Sequence, residues 1–123
     1  MKKMITCMIA LLAALAINMN AEPAVAPAPA SSVSTHTDIV KARHTDTYNV
    51  YFVGGVEAEV AVIGDGDTDL DLYIYDENGN LIVSDTDSTD DCYVSWTPKW
   101  SGYFKIKIKN LGYVSNCYTL LTN

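Results

Sequence analysis

The sequence predicts an all-β fold, an antiparallel β-sandwich with seven to eight strands. Three observations carry that prediction. From Tyr48 to Leu120 the apolar residues recur at every second position, the period of strands buried on one face. Apolar spacings of three and four, which a helix would need, hardly occur in that range. Gly, Asn, Asp and Pro clusters interrupt the alternation at short intervals, as turns do. Strands with one apolar and one polar face bury the former by stacking two sheets.

The chain opens with a different pattern. Met1, Lys2 and Lys3 form a short positive head, Met4 to Ile17 is nearly unbroken apolar sequence, and Asn18 to Ala21 is a polar, small-residue exit. This is the order of a secretory signal peptide over residues 1–21. The apolar stretch stops short of the roughly 18 residues a permanent span needs, so no stable membrane anchor is expected after cleavage. Residues 22–36 are Ala, Pro, Ser, Thr and Val-rich, a composition that favours extended, unpaired backbone and reads as a linker. The folded domain is expected over residues 37–123, directly after the linker and with no catalytic domain before it.

Within that domain Tyr48, Val50 and Phe52 alternate with polar partners, Gly54-Gly55 marks a turn, and Val56, Ala58, Val60 and Val62 follow, which reads as a hairpin. Leu70, Leu72 and Ile74 continue the pattern, with Tyr73 and Tyr75 on the other face. Asn78-Gly79 has the residues of a tight hairpin turn, leading into a short strand at Leu81 to Val83. Cys92, Val94 and Trp96 share one face of the next strand, and Phe104, Ile106 and Ile108 one face of the following one. Thr97 to Gly102 connects these two as a second hairpin, and Tyr118 with Leu120 closes the chain.

Fifteen acidic residues against eight basic ones give a net charge of −7. A chain this acidic, with no run of Lys or Arg, is a poor partner for nucleic acid or anionic membrane. Two histidines, His36 and His44, lie at the start of the domain with no nucleophile placed beside them, so no catalytic residues are assigned and the chain is not expected to be an enzyme.

The segments Asp69 to Asn80, Trp96 to Tyr103 and Tyr118-Thr119-Leu120 together resemble the bacterial pre-peptidase C-terminal domain family. The likeness spans about residues 45–123. It implies a jelly-roll-like sandwich of the kind appended to exported enzymes, similar to the calcium-dependent collagen-binding domains of bacterial collagenases. The resemblance also implies a possible protein partner, a separately encoded secreted peptidase, for which this chain would be an accessory or inhibitor-like factor.

Asp65, Asp67, Asp69 and Asp71 occupy alternate positions in GDGDTDLD, and Asp85 and Asp87 stand in a second acidic loop. Crowded carboxylates repel unless a cation lies among them, and Ca²⁺ takes six to eight oxygen ligands, so these six residues form a candidate calcium site. The alternative is a set of solvated aspartates that cap turns and keep an exported protein soluble. Cys92 and Cys117 remain after signal removal, and a disulfide between them suits an oxidising compartment. Against it, Cys117 has the opposite parity to the inward Tyr118 and Leu120. Tyr73, Tyr75, Tyr93 and Tyr103, with Trp100 in the connection, are candidate ligand contacts, and Lys105 and Lys107 share the outward side with Tyr93 and Tyr103. Their alternative role is cross-strand pairing that strengthens a sheet. The reading is thus a secreted or periplasmic, non-catalytic module, calcium-stabilised, that binds a protein or polysaccharide.

Overall fold

The computed structural model describes residues 32–123, so the signal peptide and residues 22–31 of the linker lie outside the described residues. Eight strands follow one another: β1 Ser34–Val40, β2 Thr45–Phe52, β3 Ala58–Ile63, β4 Leu70–Tyr75, β5 Leu81–Asp85, β6 Asp91–Trp96, β7 Gly102–Asn110 and β8 Asn116–Thr122. They form two four-stranded antiparallel sheets, a first in the order β1-β8-β3-β6 and a second in the order β2-β7-β4-β5. β1 pairs with β8, β2 with β7, β3 with β6 and β4 with β5. The chain is one long hairpin rolled into two layers, which is the jelly-roll arrangement.

The tip of that long hairpin is the β4–β5 turn. Gly79 has φ 86° there, a value that glycine adopts without steric cost. Asp76 closes the turn by accepting from the backbone N–H groups of Asn78 and Asn80, both at 2.9 Å, and these bonds hold its carboxyl below the usual range.

Two expected hairpins are instead crossings. β2 lies in the second sheet and β3 in the first, so Gly54-Gly55 carries the chain from one layer to the other. The reason is visible at Gly54, where a Cβ would lie 2.6 Å from the backbone carbon of Trp100. The crossing is clamped on the β6–β7 connection by Gly54 N–H to Ser101 Oγ and Gly55 N–H to Pro98 O, both at 2.8 Å. That connection is itself a crossing, with β6 in the first sheet and β7 in the second. Strand β1, mostly polar and exposed except for Val40, has no counterpart in the alternation read from the sequence. It begins within the stretch read as linker.

The even-numbered side chains Val60, Val62, Leu70, Leu72, Ile74, Ile106, Ile108 and Tyr118 fill the space between the sheets. Phe52, Trp96 and Phe104 close one end of this core through edge-on and tilted ring contacts with centroids 4.9–6.0 Å apart, a favoured aromatic geometry. Val56, expected on the buried side, is exposed because it lies in the crossing loop.

Candidate functional site

The odd-numbered residues of β2, β4 and β7 make the outer face of the second sheet. Register places Lys105 between Asn49 and Tyr75, Lys107 between Thr47 and Tyr73, and Lys109 between Thr45 and Asp71. Tyr103 pairs with Tyr51 on the same face, their rings edge-on at 5.3 Å. The rings of Tyr73 and Tyr75 stack at 6.4 Å, and the Lys107 ammonium lies 5.3 Å from the Tyr75 ring centroid.

Two open recesses cover this face. One of about 800 Å³ runs over Asn49, Tyr75, Tyr103, Lys105 and Lys107 to the β4–β5 turn. The other, about 410 Å³, lies over Thr45, Thr47, Tyr73 and Lys109 and shares Tyr75 and Lys107 with the first. Together they form one trough along the sheet. Among the described residues, the ion pair within 4 Å is His36 with Asp38 at 3.7 Å, so none of the three trough lysines has a carboxylate partner at that distance.

The five aromatic residues singled out from the sequence are thereby divided. Tyr73, Tyr75 and Tyr103 share the trough. Tyr93, expected beside Tyr103, lies on the outer side of the first sheet, because the strands that carry them belong to different layers. Its hydroxyl donates to Glu59 Oε1 at 2.5 Å. Trp100 sits in the β6–β7 connection, stacked on Phe104 at 6.5 Å, and borders a separate recess of about 290 Å³ with Ile82, Trp96 and Pro98.

The acidic residues gather at one end of the sandwich, where the 64–69 and 86–90 loops meet. Gly64 and Leu70 donate to the backbone oxygens of Asp90 and Thr89, and Gly66 N–H reaches Asp90 Oδ2 at 2.6 Å. Asp65 is occupied by the N–H groups of Asp67 and Cys117, at 2.9 and 2.8 Å. Asp85 accepts from Tyr93 N–H at 2.9 Å and Asp87 from Thr89 at 2.8–2.9 Å; Asp67 is exposed.

Asp69 and Asp71 differ from the others, since each has a buried Oδ1 with no hydrogen-bond partner. Burial first, then the charges of Asp71, Asp87 and Asp90, push the Asp69 carboxyl above its ordinary range. Asp71 is raised by burial too, against the bond donated by the Tyr73 hydroxyl. Unpartnered buried carboxylate oxygens are what a cation would satisfy. Among the described residues, however, no three His, Cys, Asp or Glu side chains converge as a metal-ligand group.

The expected Cys92–Cys117 bridge is not made. Cys92 is a free, buried thiol that donates to Leu70 O at 3.1 Å. β3 separates β6 from β8, and Cys92 points into the sandwich whereas Cys117 has the outward parity of its strand. Two strand spacings, roughly 9–10 Å, exceed the reach of a disulfide.

One polar constellation escaped the sequence reading. Tyr118, fully buried, donates its hydroxyl to Asp46 Oδ2 at 2.7 Å, and Tyr48 shares a short hydrogen bond with Tyr118. The Tyr48 hydroxyl also reaches Asp38 Oδ2 at 3.4 Å, so two phenol hydroxyls and two carboxylates form one connected polar group. The available signal was the inward parity of a residue whose hydroxyl needs a partner.

No family model matches the chain, and no curated protein matches it. Solved structures of similar fold include the pre-peptidase C-terminal domain of a collagenase from Bacillus anthracis, 13% identical with TM-score 0.58, covering 73% of this chain and 88% of that one. A periplasmic lysozyme inhibitor of g-type lysozyme from Aeromonas hydrophila is 14% identical with TM-score 0.57, covering 80% and 91%. The Yersinia pseudotuberculosis-derived mitogen is 17% identical with TM-score 0.55, covering 75% and 85%. At these identities the similarity is one of fold.

Proposed function

We propose that the protein is an exported, non-catalytic binding module of pre-peptidase C-terminal type, secreted or periplasmic, that holds a protein or polysaccharide ligand in the trough of its second sheet. The observation that carries this reading is the convergence of Tyr73 and Tyr75 from β4 with Tyr103, Lys105 and Lys107 from β7. Aromatic rings with polar tips beside unpaired ammonium groups are suited to gripping a ligand that is part apolar and part polar. The rigid strands beneath fix their spacing.

Calcium belongs to this reading as a stabiliser of the acidic end. Asp69 and Asp71, with their unpartnered oxygens, are the carboxylates best prepared to hold it. A second reading, an inhibitor-like partner of a separately encoded secreted enzyme, is supported by the fold shared with the lysozyme inhibitor.

The test is capture of culture-medium proteins and immobilised glycans by the wild-type protein and by Tyr73→Ala/Tyr103→Ala, with Tyr93→Ala as the control on the other sheet. Loss of capture in the double variant alone supports the trough. Loss in Tyr93→Ala alone places the ligand elsewhere. Inhibition of a secreted hydrolase that survives the double variant favours the inhibitor reading.

A further inference from the structure

The lysine row along the trough is opposite in charge to the molecule around it. The chain has a net charge of −7 and eight basic residues. Three of these, Lys105, Lys107 and Lys109, stand in one row on β7, at successive spacings of roughly 6.6 Å by strand geometry. Lys41, Arg43 and Lys99 are set apart in loops at the two ends. The carboxylates near the row sit at its ends: Asp71 opposite Lys109, and Asp76 with Glu77 at the β4–β5 turn. Asp76 is already engaged by its own turn.

Resting on the trough as the binding face, we infer that its ligand is an acidic polysaccharide, a chain of sugars that carry carboxylates. Three features favour this class over an acidic protein. The trough is long and open rather than a set of closed pockets, as an extended polymer requires. Its walls are hydroxyl, amide, phenol and ammonium groups, with the Asp76 and Glu77 carboxylates confined to the turn at one end, and they hold no aliphatic anchor, whereas the buried centres of protein interfaces are depleted in Lys. The Tyr51–Tyr103 pair at one end and Tyr73 and Tyr75 alongside Lys107 and Lys105 supply flat surfaces for sugar rings, and the lysines supply the counter-charge.

The test is calorimetric titration of the purified protein with polygalacturonate, with alginate, with dextran of matched length, and with poly-glutamate. The inference predicts binding of at least one of the two acidic polymers, at least tenfold stronger than dextran and stronger than poly-glutamate. It also predicts at least a tenfold loss in Lys105→Gln/Lys107→Gln/Lys109→Gln, and weaker binding in 0.5 M salt, where exposed charges are screened within a few ångströms. Lys107→Gln alone serves if the triple variant does not fold.

Equal binding of dextran, or failure of both acidic polymers, would overturn the polyanion while leaving the trough as the binding face. Preference for poly-glutamate would do the same and point to an acidic protein. If the lysine variant and Tyr73→Ala/Tyr103→Ala both bind as the wild type does, the trough itself is the wrong face.

Discussion

The Lys107 ammonium lies 5.3 Å from the centroid of the Tyr75 ring, although the residue paired with Tyr75 across the ladder is Lys105. The contact is therefore diagonal, and it ties β7 to β4 in the middle of the trough. An exposed cation–π pair contributes about 0.5–1 kcal/mol. A double-mutant cycle of Lys107→Gln and Tyr75→Leu, read by urea unfolding, should give a coupling of that size. A coupling indistinguishable from zero would mean the pair is not formed in solution.

Asn116 joins β8 to both acidic loops. It is fully buried, with its amide donating to Thr68 Oγ1 at 3.0 Å and Asp90 Oδ2 at 2.9 Å, and its oxygen accepting from Asp65 N–H at 3.2 Å. Asn116→Ala strands those partners, and buried polar groups left unpaired cost about 1–3 kcal/mol each. A loss of about 2–4 kcal/mol in urea unfolding is expected, and a change below about 0.5 kcal/mol would refute the bridging role.

Tyr118→Phe keeps the buried ring and removes the hydroxyl that serves Asp46 and Tyr48. The expected cost is about 1–3 kcal/mol, larger than that of Tyr48→Phe, whose side chain is half-buried. Burial, followed by the bonds to Tyr48 and Asp46, raises the Tyr118 hydroxyl well above its ordinary value. Its stabilisation is thus present below the unfolded tyrosine pKa of roughly 10 and is lost as pH rises beyond it. The wild type should lose stability above pH 10 more steeply than Tyr118→Phe does.

Asp69 and Asp71 give the opposite end of the pH scale. Their native carboxyls are raised, so without a cation they favour the folded state below the unfolded aspartate pKa of roughly 4 and cost stability as pH rises through their native values. Calcium needs the ionised form. Millimolar Ca²⁺ should therefore raise the melting temperature at pH 7 and have little effect near pH 4, and Asp71→Asn should remove the pH 7 response. An identical melting curve with calcium and with chelator would eliminate the ion.

The Cys92 thiol is pushed up to about 12, first by burial and then by the surrounding aspartates. It should resist a thiol reagent at pH 8 in the native protein and react at once after unfolding in denaturant. Rapid labelling of the native protein would show that the core is open there.

The alternation of Leu70, Leu72 and Ile74, or of Phe104, Ile106 and Ile108, made the buried faces legible because each strand has one wet side. Layer assignment was not legible in the same way. A Gly-Gly pair reads alike whether it turns the chain back on itself or carries it across to the other sheet, and only the close approach of Gly54 to Trp100 decides. That is why Tyr93 and Tyr103, read as neighbours, stand on different sheets. β1 went unseen because an edge strand with one buried residue leaves almost no periodic signal. The lysine row was visible in β7, but its partners Thr45, Thr47 and Asn49 come from a strand more than fifty residues away, and register alone brings them together.

The central claim is that ligand lies along β7 in the second sheet. Amide chemical-shift mapping during titration with polygalacturonate tests it most directly. The account predicts perturbations at Thr47, Asn49, Tyr73, Tyr75, Lys105 and Lys107, with Glu59, Ala61 and Tyr93 on the other sheet unmoved. Shifts confined to the first sheet or to the Trp100 connection would contradict it.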